Sequence, residues 1–382
     1  MDVLIMTCGT GGGHKSAAEA LKEKFVSQGD TAVVVDPYLI RDSRLSGLVN
    51  NAYIKLVQKH PKAFGTVYKV GEAYDGLRIK SPVYLFNKIM RNTLWTYMES
   101  HRFDAVVVTH LYPGEMLLSM RKSGYRVPPE VFVVTDYTCI PFTGEPECDA
   151  YVIPSPELIP EFTSHGIPRD RIRPLGIPVS DQFCTPVRKD EAKRMLGLDP
   201  ELKYYLIMGG SMGAGNIMDT VQAMCSVSEA DPEKRGIVVC GSRRELREKI
   251  EKRFGKKIVV LGHTENIAAY LMASEAVLTK AGGLSITEAA SVGIPMVFLE
   301  TIPGCETMNM RFFCSHGMGI QLGRPSESLE AAIDVVSNPA FRDAMIENQH
   351  KYIPSSASEK ICGLVREIAG NNSKNVDNRP IW

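Results

Sequence analysis

Thr279-Lys-Ala-Gly-Gly-Leu-Ser-Ile-Thr-Glu288, running on through Ala289-Ala290 to Gly293-Ile-Pro295, is the stretch that decides the fold. The apolar run Ala276-Val-Leu-Thr279 ends a buried strand and Lys280-Ala-Gly-Gly283 turns the chain. Leu284 to Val292 then has the apolar spacing and length of a short helix. Glycines at a strand-to-helix turn let a ligand approach the backbone closely and aim helix N–H groups at an anion. Lys280 adds a cation there, and Glu288 sets a carboxylate one turn into the helix, placed to accept sugar hydroxyls. Such a unit also occurs as plain architecture, so its meaning depends on what surrounds it.

The pattern recurs on both sides. Upstream, the second half opens with the strand Tyr204–Met208, the turn Gly209-Gly-Ser-Met-Gly-Ala-Gly215 and a helix from Asn216 to Val227. Strands follow at Ile237–Cys240, Ile258–Leu261, Ala276–Leu278 and Pro295–Leu299, short and almost wholly apolar, as strands covered by helices on both faces must be. The first half begins the same way, with the strand Val3–Met6, the turn Gly9-Thr-Gly-Gly-Gly-His14, a helix from Lys15 to Gln28 and the strand Thr31–Asp36. That helix carries Ala17, Ala18, Leu21 and Phe25 on one face. Further strands are expected at Ala105–His110, Val131–Asp136, Ala150–Ile153 and Ile172–Pro178. Strand-helix-strand units of this spacing are right-handed and parallel. The chain therefore reads as α/β, two doubly wound parallel-sheet domains facing across a cleft, with ligands beyond the carboxyl ends of the strands. The expected boundaries are 1–180 and 181–355, then a helix over 356–370 packing back on the first domain and a frayed tail over 371–382.

Residues 43–100 interrupt the alternation. Aromatic side chains are interleaved there with nine Lys/Arg against three Asp/Glu, a net of +6 in a chain whose total is zero. This composition suits either an anionic membrane interface or two core helices with solvated lysines. The balance of 44 basic and 44 acidic residues argues against a nucleic-acid partner. Nine scattered cysteines without C-x-x-C pairs exclude a zinc-ribbon pattern and fit a reducing cytosol. Cys8, Cys139, Cys240 and Cys314 are expected to be small buried hydrophobes. No apolar run reaches the roughly 20 residues that span a bilayer.

Neither glycine-rich turn is a dinucleotide fingerprint or a P-loop: His14 stands where the first would need Gly or Ala, and no Gly-Lys-Ser/Thr follows. As generic anion loops, Gly11, Gly12 and Gly13 present N–H groups beside His14. That histidine either acts as a general base or caps the helix. Gly209, Gly210 and Gly213 with the Ser211 hydroxyl suit a diphosphate at a helix start. Glu306 and Asn309, spaced i, i+3 after Pro303-Gly304, present polar groups on one helix face. Asp136, at the end of its strand, is a catalytic group, an orienter of His14 or a turn cap, and His110 stands at an equivalent strand end.

Together these motifs resemble, in order, the monogalactosyldiacylglycerol synthases and bacterial processive diacylglycerol glucosyltransferases of glycosyltransferase family 28. In the first half the resemblance rests on Gly9–His14, Tyr53-Ile-Lys-Leu…His60-Pro61…Tyr68, Val134-Thr-Asp136 and Gly176-Ile-Pro-Val179. In the second it rests on Gly209-Gly-Ser211, Gly262-x-x-Glu265-Asn266-Ile267, Thr279-Lys-x-Gly282-Gly283 with Glu288-Ala289, and Ile302-Pro-Gly-x-Glu306-x-x-Asn309. After Thr135-Asp136 the family often carries a His and an aromatic pair near the acceptor, where this chain reads Tyr137-Thr-Cys-Ile-Pro-Phe142.

The resemblance implies the GT-B fold and a metal-independent, inverting transfer of a hexose from a UDP-sugar, as substrate and without cofactor, to a diacylglycerol or glycolipid acceptor. It implies Glu288 on the ribose hydroxyls, Gly262, His263 and Thr264 along uracil, and the Gly209–Gly213 loop with Lys280 on the diphosphate. Gly282 and Gly283 would allow close approach, Glu306 and Asn309 would read the sugar, and His14 with Asp136 would stand at the reacting centre. Tyr53, Lys55, Lys59, Phe64, Tyr68 and Lys69 would meet lipid, on a protein peripheral to the cytoplasmic face of the cell membrane. A UDP-N-acetylglucosamine 2-epimerase-like isomerase and a non-catalytic nucleotide-sugar sensor are the alternatives on the same fold.

Overall fold

The computed structural model describes residues 1–9, 12–41, 84, 87–209, 217–301, 303–323 and 325–377. The chain divides into two compact units, one of 1–56, 62–180 and 356–382, the other of 57–61 and 181–355.

In the first unit the strands β1 (Asp2–Met6), β2 (Thr31–Val35), β3 (Ala105–Val108), β4 (Glu130–Val133), β5 (Ala150–Ile153) and β6 (Ile172–Pro174) form one parallel sheet in the order β2-β1-β3-β4-β5-β6. β1 thus lies between β2 and β3, and the gap between β1 and β3 is the topological switch point, where open α/β sheets bind ligands. The helix Gly12–Ser27 covers one face through Ala17, Ala18, Leu21 and Phe25, all fully buried. Burial of a side chain the size of Phe25 contributes about 2 kcal/mol. The terminal helix, Ala357–Asp377, puts Ile361, Cys362 and Val365 into the same core, and its Arg366 Nε pairs with Asp30 at 2.9 Å. It continues past the amphipathic stretch expected to end near Ala369, since no proline or glycine interrupts Asn371–Asp377.

In the second unit β7 (Lys203–Met208), β8 (Lys234–Val239), β9 (Ile258–Leu261), β10 (Ser274–Thr279), β11 (Met296–Phe298) and β12 (Ile320–Gln321) are parallel, in the order β12-β11-β10-β7-β8-β9. Its switch point lies between β7 and β10. The two-residue β12 was not expected; it is too short to leave a periodic signature.

The expected strands Ala105–His110 and Val131–Asp136 are cut short, at Val108 and Val133. Thr109, His110, Thr135 and Asp136 therefore leave the ladder beyond the sheet edge, where their side chains can converge. The first helix begins at Gly12 rather than near Lys15, which places Gly12, Gly13 and His14 in its first turn. The first N–H groups of a helix need no intrahelical partner, so glycine weakens a helix least there. All nine cysteines are free thiols; Cys8, Cys139 and Cys240 are buried as expected, whereas Cys314 is half-buried. Among the described residues no helix is long and apolar enough to cross a membrane.

Candidate active site

In the first unit the chemistry gathers at the exits of β1, β3 and β4. His14 Nδ1 lies 2.8 Å from the carbonyl oxygen of Thr109 and 2.8 Å from Thr135 Oγ1. A carbonyl only accepts, so Nδ1 carries the ring hydrogen, and neutral His14 presents Nε2 as a lone pair. Thr109 Oγ1 in return donates to the His14 carbonyl at 3.0 Å, tying the first helical turn to the exit of β3. Burial lowers the His14 pKa from the usual histidine value, opposed by the charge of half-buried Asp136 and by the Thr109 bond.

His110 is held in the other tautomer. Its Nδ1 accepts the Tyr112 backbone N–H at 3.2 Å as N-cap of the helix Leu111–Arg121. Its ring meets that of His14 edge-on, with centroids 4.7 Å apart. Burial, with His14 alongside, keeps it well below the usual histidine range, so it adds no positive charge beside the base.

Reading the strands alone missed the orienting threonines. Their signal was present, since β3 and β4 run into Val108-Thr109-His110 and Val134-Thr135-Asp136, a threonine followed by an ionisable group in both. Gly12 and Gly13 are placed in the helix turn that carries His14. Gly11, Tyr53, Lys55, Lys59, Phe64, Tyr68 and Lys69 lie outside the described residues, as do Gly210, Ser211 and Gly213.

In the second unit the remaining candidates stand along the carboxyl edge of one sheet. Gly209 leaves β7, Gly262, His263 and Thr264 leave β9, and Lys280 to Gly283 leave β10. His263 is exposed, and Thr264 Oγ1 accepts the Asn266 N–H at 3.1 Å, ordering the turn. Gly282 is the N-cap of the helix Gly283–Val292 and has open space where a side chain would be. Gly304, at φ 115° and ψ −135°, occupies a region only glycine adopts readily and starts the helix Cys305–Ser315. That turn brings Glu306 back to Lys280, where the two form an almost fully buried ion pair.

Lys280, expected on a diphosphate, and Glu306, expected on a sugar, meet each other in this pair. Asn309, expected to read the sugar as well, is fully buried and donates Nδ2 to the Ala281 carbonyl at 3.0 Å. It braces the glycine turn from behind. Sequence spacing put Glu306 and Asn309 on one face correctly but could not see what that face meets.

Glu288 has no hydrogen-bond or ion-pair partner among the described residues. Burial alone raises its pKa from 4.5 to about 8. A half-buried carboxyl without donors is suited to a ligand that supplies hydroxyls, which favour its ionised form. The native state holds this proton where the unfolded chain has released it, so stability should fall as pH rises between 4.5 and about 8. Urea midpoints across that interval are expected to fall less in Glu288→Gln than in the unaltered protein. An equal fall in both would show that Glu288 titrates normally.

A cavity of about 610 Å³ in this unit is lined by Phe183, Ser274, Glu275, Pro295 and Arg342 among others, at the opposite, amino edge of the sheet. No candidate residue lines it. Among the described residues no cluster of His, Cys, Asp or Glu could hold a metal ion.

Comparison with known proteins matches residues 14–179 to the monogalactosyldiacylglycerol (MGDG) synthase family and residues 205–309 to the glycosyltransferase family 28 C-terminal domain. The processive diacylglycerol beta-glucosyltransferase of Staphylococcus carnosus is 30% identical over 285 residues, covering 74% of this chain and 72% of that protein. The enzyme of the same name from Bacillus subtilis is 26% identical over 363 residues, covering 94% of this chain and 93% of its own. Among solved structures, MurG of Acinetobacter baumannii superposes with a TM-score of 0.56 at 15% identity, over 96% of this chain and 99% of its own. That likeness concerns the fold, which is GT-B.

Proposed function

The chain belongs to glycosyltransferase family 28, among the monogalactosyldiacylglycerol synthases and processive diacylglycerol glucosyltransferases, and from that premise we propose its reaction. It moves a hexose from a UDP-sugar to a diacylglycerol-type lipid, with inversion and without a metal ion. The observation that carries this reading is the coincidence of site and topology. In each sheet the strand that runs into a glycine motif borders the switch point: β1, followed by a histidine of set tautomer, and β7, whose neighbour β10 runs into Lys280, the partner of Glu306.

The donor binds the second unit. Glu288 accepts the ribose hydroxyls, Gly262 to Thr264 flank uracil, and the diphosphate lies between the Gly209 turn and the N-terminus of Gly283–Val292. Negative charge grows on the diphosphate as the bond from its oxygen to the anomeric carbon breaks. Helix N–H groups and Lys280 stabilise that charge in the place of a metal ion. The Lys280 ammonium has three hydrogens and can keep Glu306 while meeting phosphate.

The acceptor binds the first unit. Its hydroxyl oxygen attacks the anomeric carbon from the face opposite UDP, and its proton passes to His14 Nε2. Asp136 stabilises the imidazolium that forms. The basic, aromatic stretch within 43–100 holds the protein on anionic lipid at the cytoplasmic face of the membrane.

The test is incubation of the protein with UDP-glucose, UDP-galactose and UDP-N-acetylglucosamine over vesicles containing diacylglycerol and anionic lipid, with and without a chelator. The expected product is a β-linked hexosyl-diacylglycerol by mass and linkage analysis, formed at equal rate with chelator. Sugar epimerised at C2 without any lipid product would instead support the isomerase.

A further inference from the structure

Two arginines of the helix Arg244–Phe254 make the same bond yet differ in exposure. Arg244 Nε donates to Glu248 at 2.8 Å and Arg247 Nε to Glu251 at 2.7 Å, each pair spaced i, i+4. Exposed pairs of this kind contribute little to stability. The Arg244 side chain is 88% exposed, whereas that of Arg247 is 49% exposed. The difference lies in what Arg247 covers.

Its side chain lies along Gly262, the residue that leaves β9. Outside the adjoining residues, the three atoms nearest to the point where a Cβ at Gly262 would stand all belong to Arg247: Nη1 at 3.1 Å, Cδ at 3.8 Å and Cζ at 3.9 Å. The helix joins β8 to β9, which pair with Val239 opposite Leu261, so the arginine reaches Gly262 from the crossover that leads into its strand. Glu251 takes the Nε hydrogen, which fixes the plane of the guanidinium. Among the described residues neither terminal nitrogen has a hydrogen-bond partner. Beyond Gly262 the exposed His263 and the turn ordered by Thr264 continue the same edge. An oriented guanidinium with donors to give thus borders the segment assigned to uracil.

We infer that Arg247 is a base-contacting residue of the nucleotide-sugar site, donating from its terminal nitrogens to a carbonyl oxygen of the uracil ring, a role that rests on the donor reading above. A guanidinium is always charged, weakly hydrated and planar, and less side-chain freedom is lost on bonding once Glu251 has set its plane. The same arrangement requires Gly262, since a side chain there would push Nη1 aside. The motif Gly262-x-x-Glu265-Asn266-Ile267 gave the glycine and not the arginine, which stands on the preceding helix.

Calorimetry of the full chain with UDP, uridine and pyrophosphate tests this. Arg247→Met is expected to raise the Kd for UDP and for uridine by the same factor, about tenfold, the lower end for a hydrogen bond to a charged group. Pyrophosphate binding should stay within about twofold, as expected where only a distant, screened charge is lost. Arg247→Lys should recover part of the loss through charge without the fixed plane. Arg244→Met removes the same charge and the same kind of pair from the same helix, and should change UDP binding by less than about twofold. Melting temperatures of the two methionine variants should agree, since each loses one exposed pair. Gly262→Ala acts by displacing the guanidinium, so it should weaken UDP by about fivefold alone and by less than about twofold when combined with Arg247→Met. Unchanged UDP affinity in Arg247→Met would overturn the assignment and leave the donor reading standing. An equal loss in Arg244→Met, an equal loss for pyrophosphate, or a Gly262→Ala effect that persists without Arg247 would overturn it as well. If the unaltered protein binds no UDP, the donor reading itself falls and this contact with it.

Discussion

Replacing His14 with alanine is expected to lower kcat/KM for sugar transfer by about 10³-fold, the middle of the range for removing a general base. UDP binding should be retained, because no donor group is altered. The Thr109 carbonyl and Thr135 Oγ1 each lie 2.8 Å from Nδ1, which keeps the ring hydrogen there and leaves Nε2 as the basic nitrogen. The base works when neutral, and burial lowers its pKa, so the acidic limb of the rate profile should lie below the usual histidine value. Asp136 raises that pKa through its charge. Asp136→Asn should therefore move the limb to still lower pH and slow transfer less than the loss of His14 does. The reverse pattern, with Asp136→Asn abolishing transfer and His14→Ala sparing it, would make the carboxylate the base.

The second large effect concerns stability. Lys280 and Glu306 side chains are 8% and 9% exposed, so the ion pair is almost out of water. Removing one partner strands the other: Glu306→Ala is expected to cost about 3 kcal/mol in the second unit, at the lower end for breaking a buried pair. Lys280→Met with Glu306→Leu should regain most of that, since an apolar pair of similar volume carries no desolvation cost. Donor affinity should fall in both variants, since the double variant loses the Lys280 ammonium and the single one loses the carboxylate that holds it. Urea melts by fluorescence and circular dichroism, together with UDP titration, separate the two readouts. A Glu306→Ala protein within about 0.5 kcal/mol of the parent would mean that water reaches the pair.

Much of this architecture could be read directly. Strands such as Ala276–Leu278 and Val106–Val108 are apolar on both sides, and only helices on both faces can cover them. Glycine turns at Gly9–His14 and Gly209 marked where each sheet exposes its strand ends. Family motifs, spread from Gly9 to Asn309, named the family. Strand ends were harder, because Thr109 and Thr135 continue a β-like run in sequence while the ladder stops one or two residues earlier.

Taken alone, then, the sequence determined two doubly wound units, the glycine turn that opens each, and the family. Its information is local: periodicity and turn chemistry act over a few residues. Tertiary structure decided which groups meet. Lys280 finds Glu306 26 residues on, Asn309 braces Ala281 from 28 residues away, and Thr109 and Thr135 reach His14 across 95 and 121 residues. Arg247 comes to Gly262 from the preceding helix. Each of these pairs joins separate elements, and their distances exist only once the sheet has set its strand exits side by side. The stretch Thr279–Glu288 shows both contributions, since its turn was legible at once and the buried partner of its lysine was not.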